Sequence, residues 1–243
     1  MALREICRDL WIADHDQKIP MGFTVPARMT VVRLGDGELW LYSPGPIDDR
    51  MAEEIQSLGP VRYLVAPNRF HHLHLPAATA RFPEADVLGA PGLAEKRKDI
   101  AFTGTLGVAS AWGAELQPIP IDGMPSFNEV AFCHRPSGTL LVADLLFNLQ
   151  QDLGWLASLY FRLTGVSRRV AMSRIIRLSI RDRAACAASC LRLLQCPFDR
   201  LIPCHGDVVE EGAKPQVEAA LGWIFKELET PPEPTPAGAV PEV

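Results

Sequence analysis

No apolar run in this 243-residue sequence is long enough to span a bilayer: the longest, Thr139 to Leu149, contains Asp144 and falls well short of the ~20 residues a spanning helix needs. The opening MALREICRDLWIADH is interrupted by Arg4, Glu5, Arg8 and Asp9, which leaves no apolar stretch of the signal-peptide kind, so a soluble cytoplasmic protein is expected. No Cys-x-x-Cys pair occurs among Cys7, Cys133, Cys186, Cys190, Cys196 and Cys204. Reduced thiols are expected, with Cys186 and Cys190 packed on one helix face. Positive charge is not in excess, since 24 Lys and Arg face 29 Asp and Glu for a net charge of -5, and nucleic acid is not an expected partner. A Gly-rich dinucleotide turn, a phosphate-binding loop and a Gly-x-Ser-x-Gly nucleophile elbow are all lacking, which removes the enzyme classes built on them.

What is present is enough apolar material, 48% of residues, for one substantial core. Leu10 to Ala13, Met29 to Leu34 and Glu38 to Tyr42 read as strands, the last two joined by a hairpin at Gly35-Asp36-Gly37. Asp48 to Leu58 has helical spacing and stops at Gly59-Pro60, and Arg62 to Ala66 is a buried strand. Strand, helix, strand in this order implies a parallel pair with a covering helix. Further on come a short helix (Leu75 to Arg81), a strand (Asp86 to Ala90), a charged helix (Gly92 to Asp99) and strands at Glu115 to Ile121, Glu129 to His134 and Thr139 to Ala143. Two sheets with helices outside, in one layered domain over residues 1–229, fit this order. The Pro-rich tail 230–243 is expected to be disordered.

Residues 151–200 carry nine Arg against Asp152, Asp182 and Asp199, a local balance of +6. They read as a helical insert. Its arginines either face water or form a basic lid over a site for an anionic substrate; peripheral membrane contact through 151–183 is the less favoured reading.

Chemistry concentrates where His71, His72 and His74 follow the Arg62 to Ala66 strand. Loops at strand ends can converge imidazoles on one ion while the sheet holds them rigid. Neighbouring histidines reach the same ion only if the backbone turns sharply between them, and the cluster also fits histidines hydrogen-bonded at a sheet edge. Leu140 to Asp144 and Leu201 to Asp207 are two more apolar strands, delivering Asp144 and His205.

The segments VAPNRFHHLHL (65–75), EVAFCHRPSGTLLVADLLFN (129–148) and PCHGD (203–207), with PARMTVVRLGDGELWLYSP (26–44) and GAPGLAEKRKD (89–99), make the chain resemble the metallo-beta-lactamase fold superfamily, and more closely its DUF4336 branch. That resemblance implies an α/β fold, the four-layered alpha-beta/beta-alpha sandwich of the metallo-beta-lactamase type, with the site at one edge between the two sheets. The superfamily's first metal motif, His-x-His-x-Asp-His, falls on Pro67, Arg69, His71 and His72. Two ligands are thus replaced, and no histidine lies in Gly123 to Asn128, where another is expected. The bridging Asp matches Asp144 and the last His matches His205. The set His71, His72, Asp144 and His205 implies one divalent transition metal, zinc or iron, with Asp144 also the catalytic residue that orients water.

Hairpin geometry adds one residue. A four-residue turn at Arg135 to Gly138 sets His134 opposite Thr139 and Glu129 opposite Asp144, so Glu129 is expected to support a ligand. His134, five residues from Asp144 or ~16 Å along a strand, is excluded, and His74 ranks behind His71. Arg69 is the candidate for binding an anionic group of a small-molecule substrate. The resulting reading is a metal-dependent hydrolase; its alternative is a fold relative without catalysis or metal, acting as a binding or structural protein.

Overall fold

The computed structural model describes residues 1–19, 22–107, 112, 114–151 and 153–229. In the first sheet chain order is also strand order. β1 (Arg4–Cys7), β2 (Leu10–Lys18), β3 (Thr24–Arg33) and β4 (Leu39–Tyr42) pair antiparallel, and β5 (Val61–Ala66), β6 (Asp86–Gly89) and β7 (Gly104–Thr105) add in parallel. Each parallel step needs a crossover. From β4 to β5 it is α1 (Asp49–Leu58), capped by the Asp48 carboxylate on the Met51 amide and seated by Met51 and Ile55. α2 (Leu75–Arg81) lies between β5 and β6, and α3 (Leu93–Lys96) follows β6.

The second sheet is built from β8 (Leu116–Pro120), β9 (Val130–His134) and β10 (Thr139–Val142) in antiparallel register. After a small ribbon of β11 (Phe147–Asn148) and β12 (Val170–Ala171), β13 (Arg200–Pro203) joins β10 in parallel. The connection to β13 carries α4 (Trp155–Thr164), α5 (Arg174–Ser179) and α6 (Arg183–Leu194), and α7 (Ala213–Glu229) follows.

Side-chain alternation makes the layers. In β4, Trp40 and Tyr42 face the second sheet, where Phe132 of β9 meets them at ring separations of 4.9 and 5.9 Å, while Leu39 and Leu41 face α1 and α2. In β10, Leu141 points inward and Leu140 and Val142 point to α6 and α7. Helix, sheet, sheet, helix is the four-layered order expected. Cys186 and Cys190 pack in the outer layer, and all six cysteines are free thiols. Among the described residues no helix is long and apolar enough to cross a membrane.

Two local readings are corrected. β1 is an additional edge strand, and β2 and β3 run on to the pair Lys18↔Thr24; the outer half of β2 alternates between exposed and half-buried polar residues, so no apolar pattern marks it. The helix expected over Gly92 to Asp99 is a single turn, because Arg97 leaves the helical path and pairs with Asp99. Within 151–200, α6 packs in the outer layer of the second sheet. The tail 230–243 lies outside the described residues.

His134 is buried at the far end of β9, with Nδ1 2.7 Å from Ser137 Oγ. The Ser137 hydroxyl donates to Thr139 Oγ1, so it accepts from a neutral His134. Burial lowers the His134 pKa to about 4 from 6.5. The unfolded chain therefore takes up this proton first, and the contribution of His134 is complete above pH 6.5 and lost as the pH falls toward 4. Between about pH 7 and about pH 4.5 a His134→Gln variant is expected to lose about 2 kcal/mol less stability than the parent, as measured by urea unfolding; equal losses would show that His134 does not carry this acid sensitivity.

Candidate functional site

Four strands, two parallel pairs with one from each sheet, bring their C-terminal ends to one edge: β4 and β5, β10 and β13. Ser43 follows β4, His71 lies in the loop after β5, and Asp144 and His205 follow β10 and β13.

The loop after β5 is shaped by Asn68, which is fully buried. Its Oδ1 accepts from the amides of Phe70 and His71 at 2.8 and 2.9 Å, a turn characteristic of Asn. Its Nδ2 donates to Asp144 Oδ2 at 2.7 Å and to Glu129 Oε2 at 3.3 Å. One amide side chain thus folds the histidine loop and ties it to the carboxylate from the other sheet. Nothing in the sequence singles out Asn68 for this role.

The hairpin register is the one the four-residue turn implies, with Thr139 opposite His134 and Leu141 opposite Phe132. Glu129 comes beside Asp144 and is buried. Its Oε1 accepts from the Ala143 amide at 2.8 Å, and its Oε2 from the amides of Asp144 and Leu145 at 2.8 and 2.9 Å. Glu129 holds the backbone that presents Asp144. Burial, then the neighbouring Asp144 charge, pushes its carboxyl up to about 7, against those three amides.

His205 is fixed from behind. Its Nδ1 lies 2.8 Å from the Pro26 carbonyl, which can only accept, so Nδ1 carries hydrogen and Nε2 is the nitrogen turned to the site. The Phe147 ring stacks on the imidazole at 5.1 Å. The next residue must be glycine: Gly206 has φ +95°, and a Cβ there would sit 2.2 Å from the Asn148 carbonyl oxygen. That close approach carries the bond from the Asn148 amide to the His205 carbonyl.

The three groups meet with little exposure. His71 Nε2 is 3.4 Å from Asp144 Oδ2, His205 Nε2 is 3.3 Å from Asp144 Oδ1, and the two Nε2 atoms are 3.2 Å apart. His71 Nδ1 is held 2.7 Å from Ser43 Oγ. Burial opposes charge on Asp144, but His71 and His205 outweigh it and keep the carboxyl well below its ordinary range. Burial likewise opposes charge on His71, and Asp144 reverses this, raising its pKa well above 6.5. One ligand atom from each of the three residues lies within 4.8 Å of the others, so the group could hold a metal. Neighbouring ligand atoms around a tetrahedral zinc ion are ~3.3–3.4 Å apart for bonds of about 2.0–2.1 Å, and the spacings of 3.2 to 3.4 Å match.

His72, expected as a fourth ligand, is not in this group. The loop turns between the two neighbours, and the Arg97 guanidinium takes His72 Nδ1; burial, then the charges of Lys96 and Arg97, lower its pKa to about 4. Arg69 does not line the cavity, because its guanidinium donates to the Pro125 carbonyl at 2.9 Å and ties down the loop. His74 Nε2 bonds Gln17 Oε1, and its ring stands edge-on to His15. His15, which nothing in the sequence singled out, lines the cavity with its pKa lowered to about 4, chiefly by burial and then by His74.

The cavity over the three groups has a volume of about 520 Å³. Its walls include Val25, Phe70, Phe127, Phe147, Phe161 and Val166, and its cationic lining residues are Lys18 and Lys96. The expected basic lid is corrected here: α4 does wall the cavity, but through Tyr160, Phe161 and Thr164, and no arginine of 151–200 is among the described lining residues. Arginines elsewhere in the insert have other work, such as Arg192 with Asp122 and Arg177 over Trp223.

Residues 8–94 match the family model described as "Domain of unknown function (DUF4336)". No curated protein matches the chain. Among solved structures it is similar to a metallo-beta-lactamase from Pontibacter korlensis, with TM-score 0.62 and 16% identity over 92% of this chain and 98% of that one. It is also similar to the metallo-beta-lactamase from Erythrobacter litoralis, with TM-score 0.64 and 15% identity over 92% and 96%. The metallo-beta-lactamase FIM-1 from Pseudomonas aeruginosa, in its mono-zinc form, matches with TM-score 0.63 and 12% identity over 95% and 96%. Such low identities speak to architecture alone, and the two sheets, their flanking helices and the edge where four strands end are those of a metallo-beta-lactamase fold.

Proposed function

We propose that this protein is a metal-dependent hydrolase with a single-ion site, in which His71, Asp144 and His205 hold one zinc or iron and the substrate is a small molecule with an apolar body. The observation that carries the reading is the convergence of two Nε2 atoms and a buried carboxylate at the floor of a largely apolar cavity, with the far nitrogens already held by Ser43 and Pro26. Ligating histidines are oriented in this way by a bond to the other ring nitrogen. When bound, such an ion supplies Lewis acidity, polarising a carbonyl and making water nucleophilic near neutral pH.

The chain's own residues do the rest. Asp144 keeps its charge in a buried position because Asn68 and the two histidines satisfy it, and so it accepts a hydrogen bond from a reacting water and orients it. The Phe70, Phe127, Phe147 and Phe161 side chains exclude bulk water and lower the local dielectric, which strengthens every polar contact at the floor. A mono-zinc form of a fold neighbour supports the idea that this architecture holds one ion. A fold relative without metal or catalysis is the second reading, favoured by Pro67 and Arg69 at positions where the superfamily has ligands.

Elemental analysis of protein purified without added metal is expected to give about one zinc or iron per chain. His71→Ala, Asp144→Asn and His205→Ala should each lose it, and His72→Ala should retain it. Two equivalents would refute the single-ion site, and none after reconstitution with zinc or ferrous iron would favour the second reading.

Glu129→Gln tests the support behind Asp144. A glutamine offers an N–H where the Asp144 and Leu145 amides need an acceptor, so Asp144 shifts and metal affinity should fall about 10–100-fold. Competition with a chromophoric chelator measures this, and an unchanged affinity in a folded variant would mean that Glu129 has no bearing on the metal.

A further inference from the structure

We infer that the outer face of α4 and α5 is a docking surface for an anionic lipid bilayer. α4 has two faces. Ala157 and Phe161 are buried against Val25 and Leu149. On the outer side Trp155, Leu159 and Leu163 recur every fourth residue, which makes one stripe, and each is open to solvent, Trp155 at 80%. α5 is joined to the end of α4 by the Arg174 guanidinium on the Leu163 carbonyl and exposes Leu178 at 83%. Large side chains left in water in this density mark a surface that something covers.

The charge around the stripe says what covers it. From Leu153 to Arg181 the chain has six arginines and no Asp or Glu, within a protein of net charge -5. Arg162, Arg168, Arg169, Arg174 and Arg181 are exposed. A second copy of this chain is a poor occupant, because a two-fold interface sets the same patch against itself and would oppose two acid-free arginine runs. An anionic bilayer offers both complements at once, apolar depth for Trp155 and the leucines and negative headgroups for the arginines. No described helix is long and apolar enough to cross a membrane, so the contact lies in the interfacial plane.

Co-sedimentation of the full chain with vesicles tests this without metal or turnover, so its outcome is separate from that of the hydrolase reading. Vesicles of phosphatidylcholine with about 30 mol% phosphatidylglycerol should take up at least about ten-fold more protein than phosphatidylcholine alone, and about 0.5 M NaCl should abolish the difference. The double variants Trp155→Ala with Leu163→Ser, and Arg162→Gln with Arg169→Gln, should each lose most of the binding while keeping the parent circular dichroism spectrum; all four side chains are exposed. No uptake by anionic vesicles, equal uptake by both kinds, or uptake untouched by either double variant would overturn the inference. So would a concentration-dependent dimer in light scattering that Trp155→Ala with Leu163→Ser dissolves, which would assign the face to a second copy.

Discussion

Asp144 is a buried carboxylate, and an isolated charge in such a place is too costly to persist. The chain answers with fixed donors. Asn68 donates to one oxygen, and His71 and His205 approach one oxygen each. Glu129, a second buried carboxylate alongside, would compound the repulsion, and it is met in turn by three backbone amides and the same Asn68. Two acids are thereby stabilised by groups that cannot move away. Their remaining negative potential falls on the space between the two Nε2 atoms, where the chain supplies the His71 proton and a divalent cation would compete for its place.

That space exists because of topology. Parallel strands end on the same side, and this fold brings neighbouring parallel strands of each sheet, β4 with β5 and β10 with β13, to one edge, so four chain reversals crowd there. Crowding demands unusual backbone. Ser43 has φ +53°, and Gly206 lets the His205 loop pass against Asn148 where any Cβ would collide. Long crossovers return the chain each time, which is why residues as distant in sequence as Ser43, His71, Asp144 and His205 share one cluster.

Much of this was legible in residue order because turn length fixes register. The Arg135 to Gly138 turn was enough to bring Glu129 to Asp144 and leave His134 at the opposite end. The strand-end positions of His71, Asp144 and His205 were legible for a similar reason, each following an apolar run stopped by a turn residue. Direction within a loop was not. His71 and His72 are adjacent, and what separates them is Arg97, which arrives from the far side of β6. Arg69 looked like a substrate clamp until its carbonyl partner, Pro125, was in place. The outer half of β2, which contributes His15, Gln17 and Lys18 to the cavity, is polar and had no pattern to betray it.

The insert shows how composition and position can disagree. Its arginine content suggested a site for anions, yet the side chains that α4 sends into the cavity are Tyr160, Phe161 and Thr164. An amphipathic helix must bury one stripe, and charged residues are excluded from that stripe by desolvation. The arginines therefore had to lie off the inner face once the helix packed on Val25 and Leu149. What the cavity presents above its floor is then aromatic walls and three polar groups. In so apolar a setting the field between Asp144 and its partners is weakly screened, so the walls of the cavity strengthen the polar contacts at its floor.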